Sequence, residues 1–166
     1  MLSEGSDLQF REFIADLFAA VAGMHSLRRA LAKSIGLSAA EFSVLLATWH
    51  LQKRGEVGIN TLANHLHVAA AHVTAEVGQL VDRRLLKKRP HPVDTRAVLI
   101  ELTKSGRDIL TELAPLLRKI NDRLFSGNKP TDFVILSRFV QRLANETTHT
   151  IRLARAFAAE SASEKR

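Results

Sequence analysis

Cysteine is absent from this 166-residue chain, which excludes disulfides, thiolate metal ligands and any thiol redox switch. No apolar run approaches the roughly 20 residues that a membrane span requires, so neither a transmembrane helix nor a membrane partner is expected. The N-terminus carries Glu4, Asp7 and Glu12 and no basic region. That pattern argues against a secretory signal and leads to an expected cytoplasmic location. Catalytic signatures are missing as well: there is no Gly-rich phosphate loop, no H-E-x-x-H and no G-x-S-x-G. No catalytic set emerges, so neither an enzyme nor a cofactor is expected. Internal repeats and low-complexity segments are also absent.

What the chain does have is enough apolar residue, 46% of the total, to build a core. Its length suits one domain, or one compact domain with extra helices for assembly. The net charge of +7 is unevenly spread: residues 1–52 carry −1, residues 53–107 carry +5 and residues 108–166 carry +3. Six basic residues and one acidic residue fall between Arg83 and Arg96. A solvated charged face is the ordinary meaning of such a run; its position beside the motif described next points instead to a polyanion.

Helical spacing of Phe10, Phe13, Ile14, Leu17, Val21, Met24, Leu27 and Leu31 predicts a long helix from about Asp7 to Lys33, ended by Gly36. Ser38 and Glu41 form a capping box for a second helix carried by Phe42, Leu45, Leu46 and Trp49. Ile59–Leu66 predicts a short helix with Leu62, Ala63 and Leu66 inside. A turn at His67–Val68 leads into a fourth helix, reaching Arg84, with Val73, Val77, Leu80 and Val81 inside. Two short helices of this kind present one of them to a DNA major groove. Leu85–Arg89 and Arg96–Leu102 read as strands, and the two prolines of Pro90-His91-Pro92-Val93-Asp94 predict a loop between them. Thr103 should cap a fifth helix in which Pro115 makes a kink or a division. Gly127 and Pro130 precede a sixth helix through Phe133, Leu143 and Phe157.

The expected fold is therefore mainly α with a small β-wing: a winged helix-turn-helix plus N- and C-terminal dimerisation helices. Residues 1–36 and 104–160 form the helical dimerisation region, 37–103 the DNA-binding region and 161–166 a frayed tail. The first helix and the last two carry more apolar residues than one small headpiece needs. An intertwined dimer uses them, and a monomeric six-helix bundle is the competing account.

The segment 59–106 resembles the MarR family of bacterial winged-helix transcriptional regulators. The matching residues are Leu62-Ala63, Leu66, His72-Val73-Thr74, Leu80, Leu85-Leu86, Arg89-Pro90, Pro92, Asp94-x-Arg96, Val98-Leu99 and Leu102-Thr103-x-x-Gly106. The resemblance implies a homodimer that binds double-stranded DNA at a pseudo-palindromic operator, usually as a repressor, and lets go when a small molecule binds. Paired recognition helices would then sit about 34 Å apart along the duplex. The chain departs from the family pattern at His67 and Arg84, where glycines are common. A residue other than glycine forced to positive φ carries a cost.

With Val73, Val77 and Leu80 inward, the outward side of the fourth helix shows Ala71, Ala75 and Gly78, flanked by His72, Thr74 and Gln79. Small side chains admit close approach to base edges, and direct readout falls to His72, Thr74 and Gln79. Lys87, Lys88 and Arg89 would neutralise phosphates. In the family pattern Arg96 enters the minor groove with Asp94 holding it in place; a salt bridge that only fixes the loop is the alternative. An effector site where dimerisation helices meet the winged region is implied for His25, Arg28, Arg29 and Trp49, with an anionic aromatic ligand as the expected class. His65, His67 and His72 cluster in sequence, but their side chains need not converge and no metal site is expected. A second functional class is a helical winged-domain interaction module that binds protein or RNA; sequence-specific, competitor-resistant retardation of upstream DNA separates the two.

Overall fold

A computed structural model describes residues 7–94 and 97–163. The chain divides into two compact units, Met1–Leu113 and Ala114–Arg166. The first holds α1 (Asp7–Ser34), α2 (Ala39–Leu51), α3 (Ile59–Leu66), α4 (Ala70–Asp82), β1 (Leu86–Pro90), β2 (Val98–Leu102) and the start of α5 (Lys104–Leu124). The second holds the rest of α5 and α6 (Pro130–Ser163). The expected grouping of 1–36 with 104–160 is a division by role; compactness divides the chain within α5 instead.

Each helix of the first unit starts or stops where local chemistry requires it. The Ser38 hydroxyl accepts the Glu41 amide at 3.0 Å, and Glu41 returns the favour to the Ser38 amide at 2.7 Å, completing the capping box that opens α2. Three helices end in the same left-handed turn, in which the residue just after the left-handed one donates back across five residues. The bonds are Leu37 N to Ala32 O (2.9 Å), Val68 N to Ala63 O (3.1 Å) and Leu85 N to Leu80 O (2.9 Å). The residue at positive φ is Gly36 in the first turn, but His67 (φ 54°) and Arg84 (φ 58°) in the others. Both departures from the glycine pattern thus sit in the strained geometry, at about 1–2 kcal/mol each.

Phe42, Leu45, Leu62, Val73, Val77, Leu80, Leu86, Ile100, Leu102 and Leu110 are all but fully buried and make the core of the first unit. Truncating one such leucine to alanine costs about 2–5 kcal/mol. β1 and β2 pair antiparallel from Leu86↔Leu102 to Pro90↔Val98. Placing Pro90 in the ladder corrects the expected loop, and the register explains it. The His91 amide donates to the Ala97 carbonyl at 3.1 Å, so the adjacent Pro90–Val98 pair falls where a strand's N–H faces away from its partner. The other edge of β2 is used too: Ile100 N donates to Val57 O at 2.7 Å, and Gly58 bridges Leu99.

Two further differences from expectation concern the later helices. Of the two outcomes expected at Pro115, a kink or a division, the division does not occur: α5 runs as one helix past it. α6 extends through Ser163, so 161–163 belong to helix rather than to a tail, and 164–166 lie outside the described residues. Among the described residues no single helix is long and apolar enough to cross a membrane.

Candidate nucleic-acid interface

The α4 helix separates its faces sharply. Val73, Val77 and Leu80 have no solvent exposure, while Ala71, His72, Thr74, Ala75 and Gln79 are all exposed. The Thr74 hydroxyl donates to the Ala70 carbonyl at 2.9 Å, which ties it to its own helix while the residue stays exposed. Glu76 was not foreseen on the inner side, yet it follows Val73 by three and precedes Leu80 by four, the spacing that marks that face. It is buried, its Oε2 lacks a hydrogen-bond partner among the described residues, and its Oε1 lies 3.9 Å from His72 Nε2.

The end of α4 is fastened at two points. Arg83 reaches across to the α1–α2 corner, its Nε 2.9 Å from the buried Glu41 carboxylate and its other guanidinium nitrogen donating to Gly36 O at 2.7 Å. Thr103 holds the next two residues: its amide donates to Leu85 O at 3.1 Å and its hydroxyl to Arg84 O at 2.6 Å. That hydroxyl also accepts the Gly106 amide at 3.0 Å, capping α5. Sequence reasoning found the capping residues but not Arg83, whose partner is 42 positions away in the chain.

On the wing, strand alternation divides the basic run. Lys87 Nζ and Arg89 Nε both lie 2.9 Å from the Glu101 carboxylate of β2, and Arg89 also lies 3.7 Å from Glu56. Hydrogen bonds from Lys87 and then Arg89 hold the Glu101 carboxyl below the usual carboxylate range. Lys88 projects to the opposite face, exposed and without an ion pair among the described residues. Of the expected phosphate contacts it alone is uncommitted. Asp94 is exposed in the turn, with its amide on the His91 ring. Arg96 lies outside the described residues.

Three of the four expected effector residues line two clefts of the first unit. A cleft of about 390 Å³ is lined by Arg28, Trp49, His50, Lys53 and His65 over an apolar floor of Leu46, Ala47 and Leu66. Lys53 Nζ sits 5.4 Å above the Trp49 ring. A second cleft, of about 270 Å³, brings together His25, Arg28, Val68 and His72. Arg28 lines both and donates to Ser43 Oγ at 3.3 Å. Arg29 lines neither and turns back to Ser26 on its own helix at 2.8 Å.

The histidines do not converge on one point. His65 stacks on His50 with ring centroids 6.0 Å apart, His67 occupies the left-handed turn and His72 faces Glu76. Burial, reinforced by His50, Arg54 and His67, lowers the His65 pKa. No group of three or more His, Asp or Glu side chains among the described residues is placed to hold a metal ion.

Comparison with known proteins gives this geometry a context. The family of transcriptional regulators SarA/Rot matches residues 26–113, more than half of the chain. The curated relative MhqR of Bacillus subtilis, an HTH-type transcriptional regulator, is 26% identical over 80 residues, and the chain spans about half (53%) of its length. Among solved structures, BpsR of Bordetella bronchiseptica is 25% identical with a TM-score of 0.61, over 79% of this chain and 98% of that one. BldR of Sulfolobus solfataricus is 26% identical with a TM-score of 0.63, over 86% and 99% of the two chains. A MarR mutant from E. coli, solved in complex with operator DNA, shares the fold at a TM-score of 0.63 and 23% identity, covering 83% of this chain and 99% of that one.

Proposed function

Because the chain belongs to the SarA/Rot family of transcriptional regulators, DNA-binding winged-helix proteins of the MarR type, we propose that it works as a homodimeric, ligand-responsive repressor of a two-fold operator. The observation that carries the reading is the division of α4: an inner face with no exposure against an outer face of small and hydrogen-bonding side chains, beside exposed wing cations. His72, Thr74 and Gln79 read base edges in the major groove, and Ala71 and Ala75 allow the backbone close approach. Lys88 is the principal phosphate contact of the wing, with Lys87 and Arg89 sharing their charge with Glu101. Arg96 enters the minor groove, steadied by Asp94.

Apolar surface supports the homodimer. Leu8, Phe13, Phe18 and Met24 of α1 are 45–70% exposed, and Phe133, Leu136, Val140, Leu143, Ile151 and Phe157 of α6 are 40–63% exposed. Apolar exposure on this scale marks an interaction surface, and a second copy supplies the matching face for a two-fold DNA site.

The ligand response rests on the clefts. Arg28, Lys53, His50 and His65 offer cations or protonatable rings without an acidic residue among the lining side chains, so an anionic aromatic molecule fits with its carboxylate at Arg28 and its ring by Trp49. The DNA binding of BpsR is regulated by 6-hydroxynicotinic acid, an aromatic acid. A ligand bridging into the cleft that His25 and Arg28 share with His72 would disturb the reading helix directly.

The test is a fluorescence-anisotropy titration of duplexes from the DNA upstream of this gene, across a range of salt. Sequence-specific binding that survives competitor is the expected result, and Arg96→Ala should lower the salt slope by about one. Binding indifferent to sequence and lost at modest salt would refute the reading.

A further inference from the structure

The wing turn carries an arrangement that the DNA-reading role does not by itself require. Pro90 and Pro92 remove two amide donors from the segment 90–94, leaving those of His91, Val93 and Asp94. The first closes the strand ladder on Ala97 O at 3.1 Å. The other two converge on one side-chain atom: Val93 N and Asp94 N donate to His91 Nδ1 at 3.2 Å and 3.0 Å. An imidazole nitrogen here performs the task that an asparagine oxygen performs in an Asx turn, accepting from the amides two and three residues ahead.

Nδ1 can accept only while it carries no proton. The ring proton must then sit on Nε2, which lies 3.5 Å from Glu56 Oε2, and a partner at one ring nitrogen fixes the tautomer at the other. Glu56 in turn faces Arg89, which is held by Glu101 of β2. The ring is half-buried, whereas Val93 and Asp94 are exposed. Breaking the two amide bonds therefore hands both donors to water at little cost to folding, and what is lost is the shape of the turn.

We propose that His91 is the positioning residue of the wing, a clasp that holds the 91–94 turn in its DNA-competent shape only while its Nδ1 is unprotonated. The inference rests on the DNA-binding role proposed above. Acidification adds a proton to Nδ1, expels the Val93 and Asp94 amides and loosens the turn that leads to Arg96. The charged groups around the ring among the described residues are Glu56 and Arg89, with Asp94 in the same cleft of about 450 Å³.

Three variants of the full-length chain separate the possibilities, each titrated against the fluorescein-labelled upstream duplex at fixed salt from pH 7.5 to 5.5. His91→Ala should bind about five- to tenfold more weakly at pH 7.5, the equivalent of about one net hydrogen bond, with its melting temperature unchanged. His91→Phe should match it, because ring bulk without an acceptor does not help. His91→Asn should return to within about twofold of wild type and, unlike wild type, show no loss assignable to this position at pH 5.5. Nitrogen-15 NMR of the wild-type ring gives a readout independent of DNA: the Nε2-protonated tautomer at pH 7.5, with Val93 and Asp94 amide signals that move as the ring titrates. An Nδ1-protonated ring, a His91→Ala variant with wild-type affinity, or an asparagine variant as weak as alanine overturns the clasp. Failure of the wild-type chain to bind any duplex specifically, with the NMR signature intact, would overturn the operator-binding role instead.

Discussion

Gly106→Ala is the substitution whose outcome the geometry constrains most tightly. A Cβ on Gly106 would stand 2.1 Å from the Leu85 carbonyl oxygen and 3.1 Å from Leu102 Cδ2. Carbon and oxygen in ordinary contact keep about 3.3 Å or more, so one backbone segment must retreat by about 1 Å. Leu85 cannot yield freely, because its carbonyl accepts the Thr103 amide and its own amide closes the turn at the end of α4. Overpacking of this kind costs about 1–3 kcal/mol, and each of the one or two hydrogen bonds it strains adds about 1 kcal/mol. A total of about 2–5 kcal/mol should lower the melting temperature of a chain this size by about 10 °C. Circular dichroism melts of the purified variant measure it. Gly78→Ala is the matched control: a Cβ there meets nothing within 4 Å, and replacing a mid-helix glycine by alanine should stabilise by about 0.5–1 kcal/mol. If Gly106→Ala melts within about 2 °C of wild type, the close approach of α5 to the end of α4 is not what the glycine of Leu102-Thr103-x-x-Gly106 serves here.

Other consequences follow from the same contacts. Arg84→Gly relieves a left-handed arginine without touching the carbonyl that Thr103 binds, and should raise stability by about 1 kcal/mol in a urea titration. Arg83→Ala strands the buried Glu41 carboxylate, at about 2–3 kcal/mol; Arg83→Lys should recover little, since one ammonium cannot serve Glu41 and Gly36 together. Glu101→Gln frees Lys87 and Arg89 and should steepen the salt dependence of DNA binding by about one unit. Because the folded Glu101 carboxyl is held below its ordinary value, its contribution to stability is full above the usual carboxylate range and is lost as pH falls through the depressed value. Acid melts of wild type should show that loss, and those of Glu101→Gln should not.

The helices were legible because their signals are local: Ser38 with Glu41, Thr103 before Gly106, and the three-and-four spacing of Val73, Val77 and Leu80. What the chain hid were facts set by register and by distant pairs. Pro90 reads as a ladder breaker until the phase of the hydrogen bonds places it where no donor is needed. Lys87, Lys88 and Arg89 look equivalent in sequence; only the strand pleat and the position of Glu101 opposite Lys87 set Lys88 apart. Arg83 depends on a carboxylate two helices earlier, and His91 on a turn conformation that two prolines alone do not specify. The proposed Arg96 contact lies beyond the described residues.

The Arg83 bracket has a mechanical implication. One guanidinium touches the Gly36 carbonyl in the turn that follows α1 and the cap of α2 while belonging to the end of α4, so α1 cannot tilt about its C-terminal turn without dragging α4 along or giving up contacts of 2.7 and 2.9 Å. Whatever grips the long first helix therefore holds a lever on the helix proposed to meet the bases.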